Sequence, residues 1–336
     1  MSAKTGVLLV NLGTPDSPSV SDVRSYLSQF LNDPRVIDIP WLLRKILVNG
    51  IIVPFRAPKS AKVYKKLWTE NGSPLLYHSN NVKALLQKEL GESHDVYLAM
   101  RYKNPSIPSV LEEMRQKNYD RLIILPMFPQ YASASTGSAL DEVMRVIRTW
   151  WVIPELTIIS QYYDHPLYIK GFEERGRQYN IEDYDHILFS YHGLPERQVD
   201  KVYDNDLCAN HNCEHEVDED NKYCYKATCY ATTRLLAERL NIPKEKYTVC
   251  FQSRLDKKWL EPFSDKVVED CAKKGLKKIL VFSPAFTADC LETTIEIGEE
   301  YQEIFEEHGG EKVQLVESLN DHPVWIQCLK DLVLTR

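Results

Sequence analysis

Short runs of β-branched and aliphatic residues recur along the chain, separated by stretches with helical spacing. The first half offers Val7–Asn11, Val96–Met100, Leu122–Met127 and Leu156–Ser160. The second offers His186–Ser190, Tyr247–Phe251, Lys278–Phe282 and Val313–Val316. Mostly apolar runs of this length read as strands covered on both faces. Between them, Val82–Leu90, Val110–Lys117, Ala139–Thr149, Thr232–Leu240 and Ser264–Lys274 carry apolar residues at helical spacing. Strands alternating with helices predict parallel βαβ units.

The two halves echo each other. The first strand of each runs into Gly-x-Pro, Gly13-Thr14-Pro15 and Gly193-Leu194-Pro195. The third strand of each runs into Pro-x-aromatic, Pro129-Gln130-Tyr131 and Pro284-Ala285-Phe286. With equal strand counts, these matches predict a duplicated domain whose two sets of strand ends can face one cleft. No G-x-G-x-x-G follows the first strand, so a dinucleotide fingerprint is absent.

Trp41–Phe55 breaks the pattern. It is strongly apolar, interrupted by Arg44, Lys45, Asn49 and Gly50, and reads as a helix followed by a loop. Core packing is the commoner fate of such a run. An apolar lip for a flat ligand, or a peripheral membrane face, is the alternative.

Composition narrows the class. At 336 residues the chain is long enough for two packed domains. A net charge of −7 argues against nucleic acid as a partner. Neither a signal peptide nor a run long enough to span a bilayer is visible, which predicts a cytoplasmic location. In that reducing compartment, cysteines read as free thiols or metal ligands.

The candidate chemistry sits at strand ends. Ile187–Tyr191 is an apolar run that ends on His192-Gly193-Leu194-Pro195. Open α/β sheets place ligand sites at that edge. A histidine there can move a proton near neutral pH or bind a metal, and it can also be a plain turn residue. After the third strand of the same half, Asp289, Glu292, Glu296 and Glu299 or Glu300 fall at spacings of three and four. On an α-helix they form one acidic stripe, which a solvated face explains more simply than a path for cations or protons. His192 and Glu292 share one sheet edge, a plausible open site for Fe²⁺ or for proton transfer.

These residues resemble the ferrochelatase family, whose members insert ferrous iron into a porphyrin to make haem. The resemblance runs through Asn11-Leu12-Gly13-Thr14-Pro15, Arg56-Ala57-Pro58-Lys59, Gly72-Ser73-Pro74-Leu75, Met100-Arg101-Tyr102 and Phe128-Pro129-Gln130-Tyr131 with Ser135-Thr136-Gly137-Ser138. It continues through Ser190–Pro195, Phe251-Gln252-Ser253-Arg254, Trp259-Leu260, Phe286–Thr293 and Glu317-Ser318-Leu319-Asn320. It implies an α/β fold of two similar Rossmann-like chelatase domains, each a parallel sheet flanked by helices, with the active-site cleft between them. The boundaries read as 1–165, 166–320 and a terminal helix, 321–336, packing back on the first half.

By resemblance, His192 is the essential histidine and general base, and Glu292 its partner carboxylate. Both face the substrate Fe²⁺, while Asp289, Glu296 and Glu299 form a relay for protons or metal. Leu12, Tyr102, Tyr131 and Trp259 become porphyrin walls, with Arg101 and Ser138 near the propionates. Trp41–Phe55 matches the family's apolar lip. A contact with the preceding haem-pathway oxidase is also implied. The expected substrate is protoporphyrin IX, with coproporphyrin III or another tetrapyrrole as the alternative. Cys290 stands where animal members carry histidine.

One segment departs from simpler bacterial members. Cys208, Cys213, Cys224 and Cys229 are spaced C-x4-C-x10-C-x4-C just after the histidine motif. Four thiolates can hold Zn²⁺ or an iron–sulfur cluster. No cysteine follows Cys328, so the resemblance points to an internal [2Fe–2S] cluster on these four, with Zn²⁺ as the alternative. A protein of another class, an iron–sulfur redox protein or sensor, would use this cluster as its active centre.

Overall fold

The computed structural model describes residues 4–335. They divide into two units. The first runs to Phe128 and adds Ser133–Ser160 and the end of the chain from Ile326. The second takes Pro129–Ala132 and Gln161–Trp325, so Tyr131 belongs to it although it follows a strand of the first.

The first unit is built round a parallel sheet of β1 (Thr5–Gly13), β2 (His94–Tyr102), β3 (Arg121–Pro126) and β4 (Glu155–Ile158), in the order β2-β1-β3-β4. The second repeats this plan. Its strands are β5 (His186–His192), β6 (Tyr247–Gln252), β7 (Lys278–Phe282) and β8 (Lys312–Leu315), in the order β6-β5-β7-β8. All pairings are parallel, with Val7 opposite both Val96 and Ile123, and Phe189 opposite both Val249 and Phe282. The duplication read from the sequence is therefore a duplication of topology.

Helices flank both sheets. They are α1 (Val20–Leu31), α2 (Trp41–Lys45), α3 (Val53–Leu67), α4 (Pro74–Leu90), α5 (Ile107–Arg115), α6 (Ser138–Ile147), α7 (Pro166–Gly176), α8 (Glu196–Val199), α9 (Tyr225–Leu240), α10 (Ser264–Lys273), α11 (Tyr301–Glu307) and α12 (Pro323–Leu334). In the first core, Leu8, Val10, Leu122 and Ile124 of the sheet meet Ile107, Leu111 and Met114 of α5 and Val143 of α6. In the second, Leu188, Ile279, Val281 and Val313 meet Val268 and Ala272 of α10 and Phe305 of α11. Burying side chains of this size contributes roughly 1.5–3 kcal/mol each, which is why the helical faces stay on the sheets.

Two segments differ from the sequence reading. Trp41–Phe55 contains no loop: α2 runs through a π-helical stretch, Ile46–Ile52, directly into α3. Pro54 lacks an N–H and its ring would strike the carbonyl of Gly50 in a regular helix, and the wider π register absorbs both faults. Nor is the segment core: Trp41 is 63% and Phe55 74% exposed, and only Val48 of the π-helical stretch is buried. The acidic stripe also sits on a π-helix, Glu292–Glu300, rather than an α-helix, and Asp289 lies ahead of it in the preceding turn.

Candidate functional site

His192 is the last residue of β5. Its Nδ1 lies 2.7 Å from the carbonyl oxygen of Gly193. A carbonyl only accepts, so Nδ1 carries a hydrogen, and in the neutral ring Nε2 is the nitrogen with the lone pair. Gly193 must be small, because a Cβ there would stand 2.8 Å from the Gln252 carbonyl oxygen and 3.3 Å from the Trp259 ring. Trp259 is half-buried and thus lies alongside the histidine turn.

Glu292 opens the π-helical segment that follows β7, the strand next to β5. Its carboxylate lies close to the buried Cys290 thiol. Burial, and then the Glu292 charge, push that thiol well above its usual range, so it stays protonated.

The expected relay is tied down. Glu296 accepts from the Ser253 N–H at 2.9 Å, the Ser253 hydroxyl at 2.6 Å, Gln252 Nε2 at 3.1 Å and the Tyr301 hydroxyl at 3.2 Å. Ser253 is held at φ 63°, a left-handed conformation its bonds to Glu296 fix. Asp289 accepts from Asn320 Nδ2 at 2.7 Å and the Ser318 N–H at 3.2 Å. Glu299 is half-buried further along the segment.

The expected porphyrin contacts split. Leu12 and Tyr131 are half-buried, and Tyr131 packs edge-on against Tyr223. Tyr102 and Ser138 are instead wholly buried and serve Asp33. Asp33 Oδ2 accepts from Tyr102 at 2.9 Å, Ser138 Oγ at 2.5 Å and Arg101 at 2.6 Å. Arg101 also donates through Nε to Ser138 Oγ at 2.7 Å. Its charge is thus matched by a buried carboxylate. Sequence reading missed Asp33, since an Asn-Asp-Pro turn carries no signal of burial.

The cysteine segment forms a second centre in the same unit as His192. Cys208, Cys213 and Cys224 are buried, and their sulfurs stand 3.6–3.8 Å apart. Hydrogen bonds from the Cys208 and Cys213 thiols hold the Cys224 thiol below its usual range. The Tyr203 hydroxyl lies 3.0 Å from Cys213 Sγ, with its ring stacked on His211. Cys229 is buried but outside this trio. It lies five residues beyond Cys224, which caps α9, so the helix turns it to another face.

The sequence model of one family, Ferrochelatase, matches residues 4–336. The chain belongs to the ferrochelatase family. Curated ferrochelatases from Legionella pneumophila (strain Lens) and Coxiella burnetii (strain Dugway 5J108-111) are 45% and 44% identical to it. The first match covers 98% of both chains, and the second covers 97% of this chain and 92% of the relative. Among solved structures, SirB from Bacillus subtilis with Fe³⁺ shares the fold, with a TM-score of 0.56 at 12% identity over 98% of this chain and 94% of that one. Ferrochelatase activity places the protein in haem biosynthesis, where ferrous iron and a porphyrin are its substrates. Fe²⁺ keeps its oxidation state, and two protons leave the macrocycle as it enters.

Proposed function

We propose that His192 is the base that takes protons from the pyrrole nitrogens, with Glu292 as the carboxylate that balances the incoming Fe²⁺. The carrying observation is the bond from His192 Nδ1 to the Gly193 carbonyl, which leaves Nε2 as the only ring atom able to accept. Protoporphyrin IX is the proposed substrate, and coproporphyrin III the alternative. Leu12, Tyr131 and Trp259 are proposed to contact the macrocycle. Asp289, Glu296 and Glu299 are proposed to relay protons or metal beyond Glu292, with Asp289 and Glu296 held in place by their hydrogen bonds. Anaerobic turnover with Fe²⁺ and each porphyrin tests this reading. His192→Ala should lower turnover by about 10²–10⁴-fold while porphyrin still binds. Turnover near wild type in His192→Ala would remove the base assignment.

We propose further that the cysteine segment holds a metal centre. The reading from the sequence, a [2Fe–2S] cluster on Cys208, Cys213, Cys224 and Cys229, finds three of its four thiols together, and Cys229 would have to turn toward them. Zn²⁺ is the second reading, and the thiol spacing favours it: a Zn–S distance of about 2.3 Å gives a tetrahedron edge of about 3.8 Å. Either group supplies cross-linking of the segment, and the cluster adds one-electron chemistry that metal insertion does not use. Visible absorption with iron and zinc analysis of the purified protein decides between them. A redox or sensor protein would keep its function in His192→Ala and lose it with the cysteines.

The exposed face of Trp41–Phe55 is proposed to rest on a lipid surface, with the preceding pathway oxidase as the other occupant. Among the described residues no helix is long and apolar enough to cross a membrane.

A further inference from the structure

We infer that Gln252 is a positioning residue that fixes Glu292 relative to His192, and that Glu296 anchors it. The inference rests on the roles proposed above for His192 and Glu292.

Gln252 ends β6, whereas Glu292 follows β7, and β5 lies between those strands. The Gln252 side chain therefore reaches across the carboxyl end of the histidine strand. It is 1% exposed. Its Nε2 donates to the Glu292 carbonyl at 2.9 Å and to Glu296 Oε2 at 3.1 Å. Its Oε1 accepts from Ser190 of β5 at 2.8 Å. Its backbone pairs with His192, and its carbonyl accepts the Gly193 N–H at 2.7 Å. One residue thus holds the backbone on both sides of the proposed site.

The amide has only one workable orientation. Turned over, its oxygen would face a carbonyl and a carboxylate, neither of which can donate, and its NH₂ could not accept the bond that Ser190 Oγ donates to Oε1. The Glu296 carboxylate enforces this choice, and it is itself held by Ser253 and Tyr301. Buried groups without partners are costly, so the network sets a single geometry rather than a range.

Gln252→Met keeps length and removes the bonds. We expect kcat to fall by roughly a hundredfold, the loss a misplacement near 1 Å brings. KM for porphyrin and porphyrin affinity by fluorescence quenching should stay within about twofold. Because Gln252 acts through Glu292, adding Gln252→Met to Glu292→Gln should cost nothing further. If Gln252→Met does not fold, Glu296→Gln is read for the same kcat-only loss, about tenfold. Unchanged kcat, a loss confined to KM, or fully additive losses overturn the positioning role. Full turnover in Glu292→Gln would instead strike the proposed site itself.

Discussion

Asp33 shows how a residue with no sequence signal can organise a region. Its side chain is 2% exposed and that of Arg101 14%. Removing one partner of such a pair leaves a charge buried without compensation. Asp33→Ala should destabilise the protein by about 3–5 kcal/mol in urea unfolding. Gly13 offers a steric counterpart. It sits at φ 112°, and a Cβ would lie 2.0 Å from the Tyr102 carbonyl oxygen. Gly13→Ala should cost at least about 2 kcal/mol by the same measurement, since strain and clash add. The places of His192 at the end of β5 and Glu292 after β7 were legible because a strand end is written in the local order of apolar residues and breakers. Asp33 and Gln252 were not, because their roles depend on which strands lie side by side.

Among the elements, the eight predicted strands appear within two residues of their expected ends, as covered parallel strands announce themselves by apolar content. Helices were less legible. α9 starts at Tyr225, seven residues before the expected Thr232, because buried Ala, Thr and Cys give little apolar periodicity. The π-helical stretches Ile46–Ile52, Ser133–Gly137 and Glu292–Glu300 all escaped notice, since nothing in a 3.6-residue pattern announces a wider turn. β5 also begins with a titratable residue. His186 is half-buried, and burial holds its imidazole below its usual value of about 6.5. The unfolded chain then takes up the proton first as pH falls. Stability from this group is complete above about pH 6.5 and is lost below it, through the lower folded value. His186→Gln should flatten the fall in urea midpoint between pH 7.5 and pH 5.5. The exposed α2–α3 face makes a separate prediction. Replacing Trp41, Leu42 and Phe55 with Ser should reduce co-sedimentation with anionic vesicles without lowering the melting temperature, because these side chains leave no core contact behind.

For the whole molecule, the cysteine segment joins the end of α8 to the start of α9, so a metal bound there ties two helices of one unit together. A group that binds only the folded chain stabilises it by mass action. Cys213→Ser should lower both metal content and melting temperature, by several degrees, as read by metal analysis and calorimetry. Strand order gives the molecule its other large-scale property. The two sheets share one topology, and the first strand of each ends on or just before a glycine pressed against a carbonyl of the neighbouring strand. The residue before that glycine is Leu12 in one copy and His192 in the other. A chain holding one such sheet would carry one residue at this position in every copy. A chain holding both can place an apolar side chain at one and an ionisable one at the other.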